Sequence, residues 1–529
     1  MKKHITILTL GILMLGSCSE DFLEKEPSTQ KTVETFYNTP QDAFEGLVAA
    51  YDILQQGDYG HFLMMSEIAS DNCFGGAGKT DGFGHNYWDW FRTENNQNGN
   101  AWRKYFQGIY RSNTVLANLD KVEWGNQSEL RTQYEAEARF LRAFFYFDVV
   151  RLFGNVPLIT KPLEAGEYEQ PQAPAEEVYK QIAEDLTFAI ENLPATAFGS
   201  INPGDYGRAT KWAAEAMMGR VFLFYTGYYQ KADIAGIATR DQVRGYIDDV
   251  ITNSGHALVP EYRRLFRAAS WDTKDYVGED NIETVFAIKY TLQGVNQWGL
   301  NSGNRWQKFL GLRNHNAYPY GGGWGFCTVN PKLWNAFADG DTRKTASIID
   351  VVTEAPSFTP VDQRQYTGYA PKKYAPTTDK VMVDGSEVVI STVENMGGND
   401  QINQFDDWVI IRYSDVLLMA AELRLDGGGD AQTPFNEVRN RAFNGTAPAV
   451  AVSKAAIMEE RRFEFALEGL RYWDLLRQGI DVANQAIDNT DPVEEFVVDF
   501  RPETGGFFKI PESQVNLSNG SLNQNAGWE

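Results

Sequence analysis

The chain has 529 residues, of which 43% are hydrophobic and 13% aromatic, and a formal net charge of −23. That hydrophobic share supports a large core and argues against a disordered chain. The acidic balance argues against a nucleic-acid binder, whose phosphates demand a basic face.

At the start, Lys2 and Lys3 precede an apolar run from Ile5 to Leu15, and Leu15-Gly16-Ser17-Cys18 follows. A basic segment, a short apolar segment and small residues before a cut site read as a secretory signal peptide over residues 1–17. The apolar run is too short to span a bilayer, which takes about 20 residues. The Leu-Gly-Ser-Cys run resembles the lipobox of bacterial lipoproteins, in which the cysteine is acylated and becomes the new N-terminus. Cys18 is therefore the expected lipid anchor, and residues 18–30, with acidic Glu20, Asp21 and Glu24, the expected tether. No second long uncharged apolar stretch follows, so the chain is expected to hang from a membrane rather than span it.

A first helix is expected after Thr39-Pro40, with Phe44, Leu47, Val48, Tyr51 and Leu54 on one stripe. Residues 71–100, rich in Gly, Asn and Asp, read as a long loop, and such loops in compact domains are usually functional. Helical spacing returns at 103–120 and at 130–152, where Gly154 and Pro157 supply the stop. Further helices are expected at 175–193 and at 210–229, where Ala213, Ala214, Ala216 and Gly219 allow close helix packing. Helix pairs of this size resemble tetratricopeptide-type units. The periodicity weakens over 255–405, with strands expected at Thr284–Ile288 and Glu387–Ile390. Helices resume at 408–425, 434–442 and 453–478. In the last, Glu460, Glu464 and Glu468 share a face as an ion-pair row, near Arg461, Arg471 and Arg477. The fold class is mostly α: helix pairs forming a scaffold at 31–254 and 406–529, around a loop-rich region with short strands at 255–405.

Several patterns are bland on inspection. Gly75-Gly76-Ala77-Gly78-Lys79-Thr80 looks like the end of a P-loop, but Cys73 stands where that motif needs glycine. The histidines at 4, 61, 85, 256 and 315 form no metal-ligand pair. No resident cofactor is expected. Asp272, Asp275, Glu279 and Asp280 have oxygen ligands suited to calcium but not the EF-hand spacing, so a solvated loop is favoured. Cys73 and Cys327 are either one disulfide or two buried thiols.

A set of motifs then resembles the SusD/RagB family of Gram-negative surface lipoproteins over nearly the whole chain. These are Ala138-Arg139-Phe140-Leu141-Arg142-Ala143 running on to Leu152-Phe153-Gly154-Asn155-Val156-Pro157-Leu158, Gly207-Arg208-Ala209-Thr210, and Ile411-Arg412-Tyr413-Ser414-Asp415. Val438-Arg439-Asn440-Arg441-Ala442 follows, then Glu460-Arg461-Arg462-Phe463-Glu464 with Glu468-Gly469-Leu470-Arg471-Tyr472-Trp473-Asp474, and Ile510-Pro511-Glu512-Ser513-Gln514. Leu470 stands where the family often has His, and Ala526-Gly527 replaces Pro-Gly. The resemblance implies one globular unit at 31–529, an outer-membrane, cell-surface location and no catalysis. It also implies a glycan ligand and a SusC-like TonB-dependent transporter as partner. A peptide-binding, RagB-like member and a surface glycoside hydrolase are the alternatives.

Sugars present flat C–H faces and rims of hydroxyls, which exposed aromatic rings and Asn, Asp or Arg side chains can meet on loops held by a rigid scaffold. Two stretches have that composition. The first holds Asp71, Tyr87, Trp88, Trp90, Arg92 and Asn96; the second holds Trp298, Trp306, Tyr320 and Trp324. These ten residues are the expected glycan contacts. Trp102, Trp212, Trp334 and Trp473 lie in or beside helical patterns and are expected in the core.

Overall fold

The computed structural model describes residues 36–56, 61–92, 98–294, 296–297, 300–488 and 497–529. Cys18, the tether, Asn96 and Trp298 therefore lie outside the described residues.

Helix α1, Pro40–Gln55, starts at a capping box in which Thr39 and Asp42 satisfy each other's backbone N–H groups, with Pro40 in the first turn. It buries Leu47 and Leu54, whereas Val48 faces solvent. Helix α2, Phe62–Ile68, and strand β1, Cys73–Gly76, follow. Five long helices come after a short helical turn at Asn86–Asp89: α3, Asn98–Asn118; α4, Ser128–Phe153; α5, Ala175–Asn192; α6, Lys211–Tyr229; and α7, Arg240–Asn253. Each packs on its neighbour in sequence, and α1 packs on α3. The small residues of α6 do what their spacing suggests: a Cβ on Gly219 would lie 2.7 Å from Ile247 Cδ1 of α7.

Strand β2, Thr284–Ile288, was expected, but its partner was not. Residues 408–412, expected to begin a helix, instead form β6, Trp408–Arg412, antiparallel to β2. The β-branched Val409-Ile410-Ile411 run favours the strand, and helix α8 begins at Tyr413 and runs to Gly427. Between them lie β3, Phe326–Val329, which pairs with β1, and the hairpin β4, Thr378–Val383, with β5, Ser386–Ser391. Helix α9 spans Gln432–Ala442.

The expected helix over 453–478 is two helices, α10, Lys454–Glu464, and α11, Arg471–Leu476, followed by α12, Ile480–Asp488. The chain turns between α10 and α11 through left-handed Leu467 and Gly469, and the Gly469 N–H donates to Glu67 Oε1 at 2.7 Å. The acidic row is ion-paired as expected, but by other cations, since Arg461 pairs with Asp415 and Asp474, Arg471 with Asp71 and Arg477 with Glu422 and Asp474. Glu460 pairs with Arg343 and Arg439, Glu464 with Arg412, Arg441 and Arg343, and Glu468 with Arg412 and Lys373. Glu283 joins through Arg412 and Arg441, and Asp341 through Arg343. The network locks β6, α9 and α10 to the loop-rich region. Trp102, Trp212 and Trp473 are buried as expected, while Trp334 is half-buried and stacked on Tyr369. No described helix is long and apolar enough to cross a membrane.

Candidate ligand-binding surface

The β1–β3 ladder brings the two aromatic stretches together, with Cys73 opposite Val329 and Gly76 opposite Phe326. Beyond Gly76 the chain turns tightly and spends its N–H groups on protein acceptors. Gly76 donates to Gln365 Oε1, Ala77 to the Gly325 carbonyl, Gly78 to Asp81 Oδ2 and Lys79 to Asp362 Oδ1. A phosphate cradle needs such groups free, so this glycine run is a structural turn. Its glycines make room for an arginine: a Cβ on Gly78 would lie 1.9 Å from Arg313 Nη2. Arg313 bridges Asp81 at 2.9 Å, Asp362 at 2.8 Å and the Trp324 carbonyl at 3.3 Å, tying the two stretches together.

Phe83, Tyr87 and Trp90 form a mutually contacting triad, with centroids 5.4 Å apart for Phe83–Trp90, 6.2 Å for Tyr87–Trp90 and 6.4 Å for Phe83–Tyr87. Phe83 is 40% exposed, Tyr87 is half-buried and Trp90 is nearly covered. The Arg364 guanidinium lies 4.3 Å from the Phe83 ring centre and donates to Asn86 Oδ1 and to the Lys79 and Asp81 carbonyls. Trp324 is half-buried, stacked on Phe309 at 4.7 Å, with Nε1 donating to Gln401 Oε1 at 3.0 Å. Arg92 is exposed at the edge of the same stretch.

Five expected contacts are corrected. Trp90 is buried, packed against Phe83 and Tyr87. Trp88 is wholly buried, its Nε1 donating to Asn98 Oδ1 at 2.8 Å. Trp306 is also wholly buried, stacked on His61 at 4.9 Å. Tyr320 is buried with its hydroxyl donating to Glu354. Asp71 is buried at the other end of the ladder, held by Arg471 at 2.7 Å and Arg462 at 2.9 Å. Burial would raise its pKa, but Arg471 and then Arg462 outweigh that and hold it below the usual carboxylate value. Asp71 lines an open concavity of about 490 Å³ with Asn330, Lys332, Arg462, Arg471 and Gln478. Phe83 was missed, although an aromatic between Gly82 and Gly84 has no adjacent side chain to cover it.

Two buried carboxyls near the β1–β3 ladder have perturbed acidity. Burial pushes Glu67 and Asp89 up to about 7 each. Glu67 is fastened by Gly469 and Asn72, and Asp89 by Gln365 and Gly75, all inside the protein. A general acid must reach the proton it transfers, and neither side chain faces solvent. In the acidic loop, Asp275 pairs with Arg263, Glu279 with Arg267 and Asp280 with Lys289. Among the described residues no group of three or more His, Cys, Asp or Glu is placed to hold a metal ion.

Known proteins resemble this chain at both levels. Residues 21–223 match a family model described as "Starch-binding associating with outer membrane", and residues 282–528 match that of the SusD family. A SusD-like protein of Bacteroides ovatus is 26% identical over 505 residues, covering 90% of this chain and 82% of that protein. A solved structure titled "Laminarin binding SusD-like protein" is 28% identical, with a TM-score of 0.75 over 93% of this chain and 100% of the other. Surface glycan-binding protein A from Bacteroides fluxus is 25% identical, with a TM-score of 0.77 over 93% and 100%. The chain belongs to the SusD/RagB family.

Proposed function

We propose that this protein is a non-catalytic, cell-surface glycan-binding lipoprotein that captures an oligo- or polysaccharide and delivers it to a SusC-like TonB-dependent transporter. The observation that carries the reading is exposed Phe83 and half-buried Tyr87, packed on buried Trp90, with half-buried Trp324 on the other stretch, the two stretches being joined by a strand pair and bridged by Arg313. Partly exposed rings offer flat apolar faces for sugar C–H groups, and exposed Arg92 offers a donor for hydroxyls. The relatives named for laminarin and surface-glycan binding support the ligand class. Cys18 would carry the lipid that keeps the protein at the transporter's mouth in the outer membrane.

Isothermal titration against a polysaccharide panel that includes laminarin tests the reading. Binding to a panel member is expected, weakened when Phe83, Tyr87 or Trp324 is replaced by Ala. No binding across the panel, with binding to peptides instead, overturns it. Release of reducing sugar on prolonged incubation overturns the non-catalytic part.

A further inference from the structure

Cys73 opens β1 and Cys327 lies in β3. The register sets Cys73 opposite Val329, so Cys327, two residues along, shares its face as a diagonal neighbour. Both are buried thiols. The Cys73 thiol is pushed well above its usual pKa, by burial first and then by the Cys327 thiol beside it. Cys327 has a φ of 56°, a left-handed conformation that residues other than glycine adopt at a cost. Gly76, Ala77 and Gly325 at the same end of the ladder also have positive φ. The strand pair is thus strained where the second cysteine sits, and the strain has no other assigned purpose.

We propose that Cys73 and Cys327 are a redox-closable pair whose disulfide ties β1 to β3 and pins the two aromatic stretches together. Closure breaks both S–H bonds and forms one Sγ–Sγ bond. Two electrons and two protons pass to a disulfide oxidant, a thiol–disulfide oxidoreductase or a small-molecule disulfide, which leaves as two thiols. Diagonal neighbours have Cα atoms about 7–8 Å apart, and a disulfide holds them at about 4.4–6.8 Å. The strands therefore need to approach by about 1–2 Å, which the run of turns at residues 76–77 and 325–327 can absorb. Buried thiols of raised pKa react slowly, so closure is fastest while the chain folds. The inference rests on the proposed surface location only for an oxidising compartment; the juxtaposition of the thiols does not depend on it.

The full chain, expressed with its own export signal, is purified without reductant, denatured in iodoacetamide, digested and mapped by mass spectrometry. A second sample is unfolded, reduced and refolded in a glutathione redox buffer before the same treatment. The expected result is a peptide pair cross-linked through Cys73 and Cys327 that takes two labels only after reduction. Closure in either preparation establishes the pair; two labelled thiols in both overturn it. In Cys73→Ser, Cys327 must take label, and protection there also overturns the pairing. The closed form is expected to melt higher than the reduced form. Glycan titration of the same samples is read separately, so a failure of the glycan reading leaves this result standing.

Discussion

Replacing Glu464 by Gln removes one charge from the interior while keeping the side chain's shape. Glu464 is fully buried and accepts from Arg412 Nη1 at 2.8 Å, from Arg343 Nη1 at 3.3 Å and from Arg441. Around it, Glu283, Asp341, Glu460, Glu464 and Glu468 are matched by Arg343, Lys373, Arg412, Arg439 and Arg441. The carboxylates and cations balance one for one, so Glu464→Gln leaves a buried cation unmatched. Removing one partner of a buried pair costs about 3–5 kcal/mol, and that loss is expected in urea denaturation at pH 7. Burial acts to raise the Glu464 pKa, but Arg441, Arg412 and Arg343 together bring it well below the usual range. A depressed folded pKa contributes its full stability above the unfolded value of about 4.3. That contribution is lost as pH falls through the folded pKa. The gap between wild type and variant should therefore be constant from about pH 7 to about pH 5 and narrow below about pH 4. A gap under about 1 kcal/mol at pH 7, the value of a solvated pair, would refute the reasoning. So would a gap that already narrows above about pH 5.

Phe83→Ala and Tyr87→Ala should each weaken glycan binding about 2- to 10-fold by titration, the value of a stacked ring, whereas Trp88→Phe should lower stability and leave affinity unchanged. Gly78→Ala should drive Arg313 from Asp81 and Asp362 and lower stability by about 1–3 kcal/mol, the usual cost of overpacking. Arg313→Ala in that background should restore part of it, and a Gly78→Ala variant that melts like wild type refutes the close contact. His61 lies between Trp306 and Trp408, its pKa pushed well below the usual value by burial first and then by Lys104. It stays neutral when folded but takes a proton when unfolded below about pH 6.5, so stability falls as pH drops through that value. His61→Phe should flatten that slope in urea titrations between about pH 6.5 and 5, and an unchanged slope assigns the acid loss to other groups.

The helical frame was legible because its signals are local. Thr39-Pro40, Gly154 and the alanines of α6 act within a turn or two of where they stand. Helix α7 went unread although Thr239 and Gln242 form a capping box of the same kind, because its apolar stripe is thin: only Val243, Ile247 and Val250 are buried. The misread segments depend on distant partners. Residues 408–412 become a strand because β2 is there to pair with, and the break after Glu464 is held by Glu67 reaching Gly469. Neither partner is visible in a local window.

The candidate surface shows the same division more sharply. Composition marked two stretches that the β1–β3 ladder brings together, but could not say which rings face out. Strand-like alternation would put one of Trp88 and Trp90 in and the other out, yet both are buried. The segment is in fact a short helix at Asn86–Asp89, so Tyr87 and Trp90, three apart, share a side with Phe83 just before it, and Trp88 turns to Asn98. The residues that position the surface are more distant still. Arg313 lies within the second stretch but carries no aromatic signal of its own, Asp362, Arg364 and Gln365 lie beyond it, and each acts on the glycine turn or the triad. If these side chains preorganise the surface, their removal should weaken binding without touching any ring. Arg364→Met, which keeps an apolar contact over Phe83 but loses the bonds to Asn86, Lys79 and Asp81, separates the two roles. Affinity should fall as far as in Phe83→Ala if orientation governs binding, and stay near wild type if the exposed ring alone suffices.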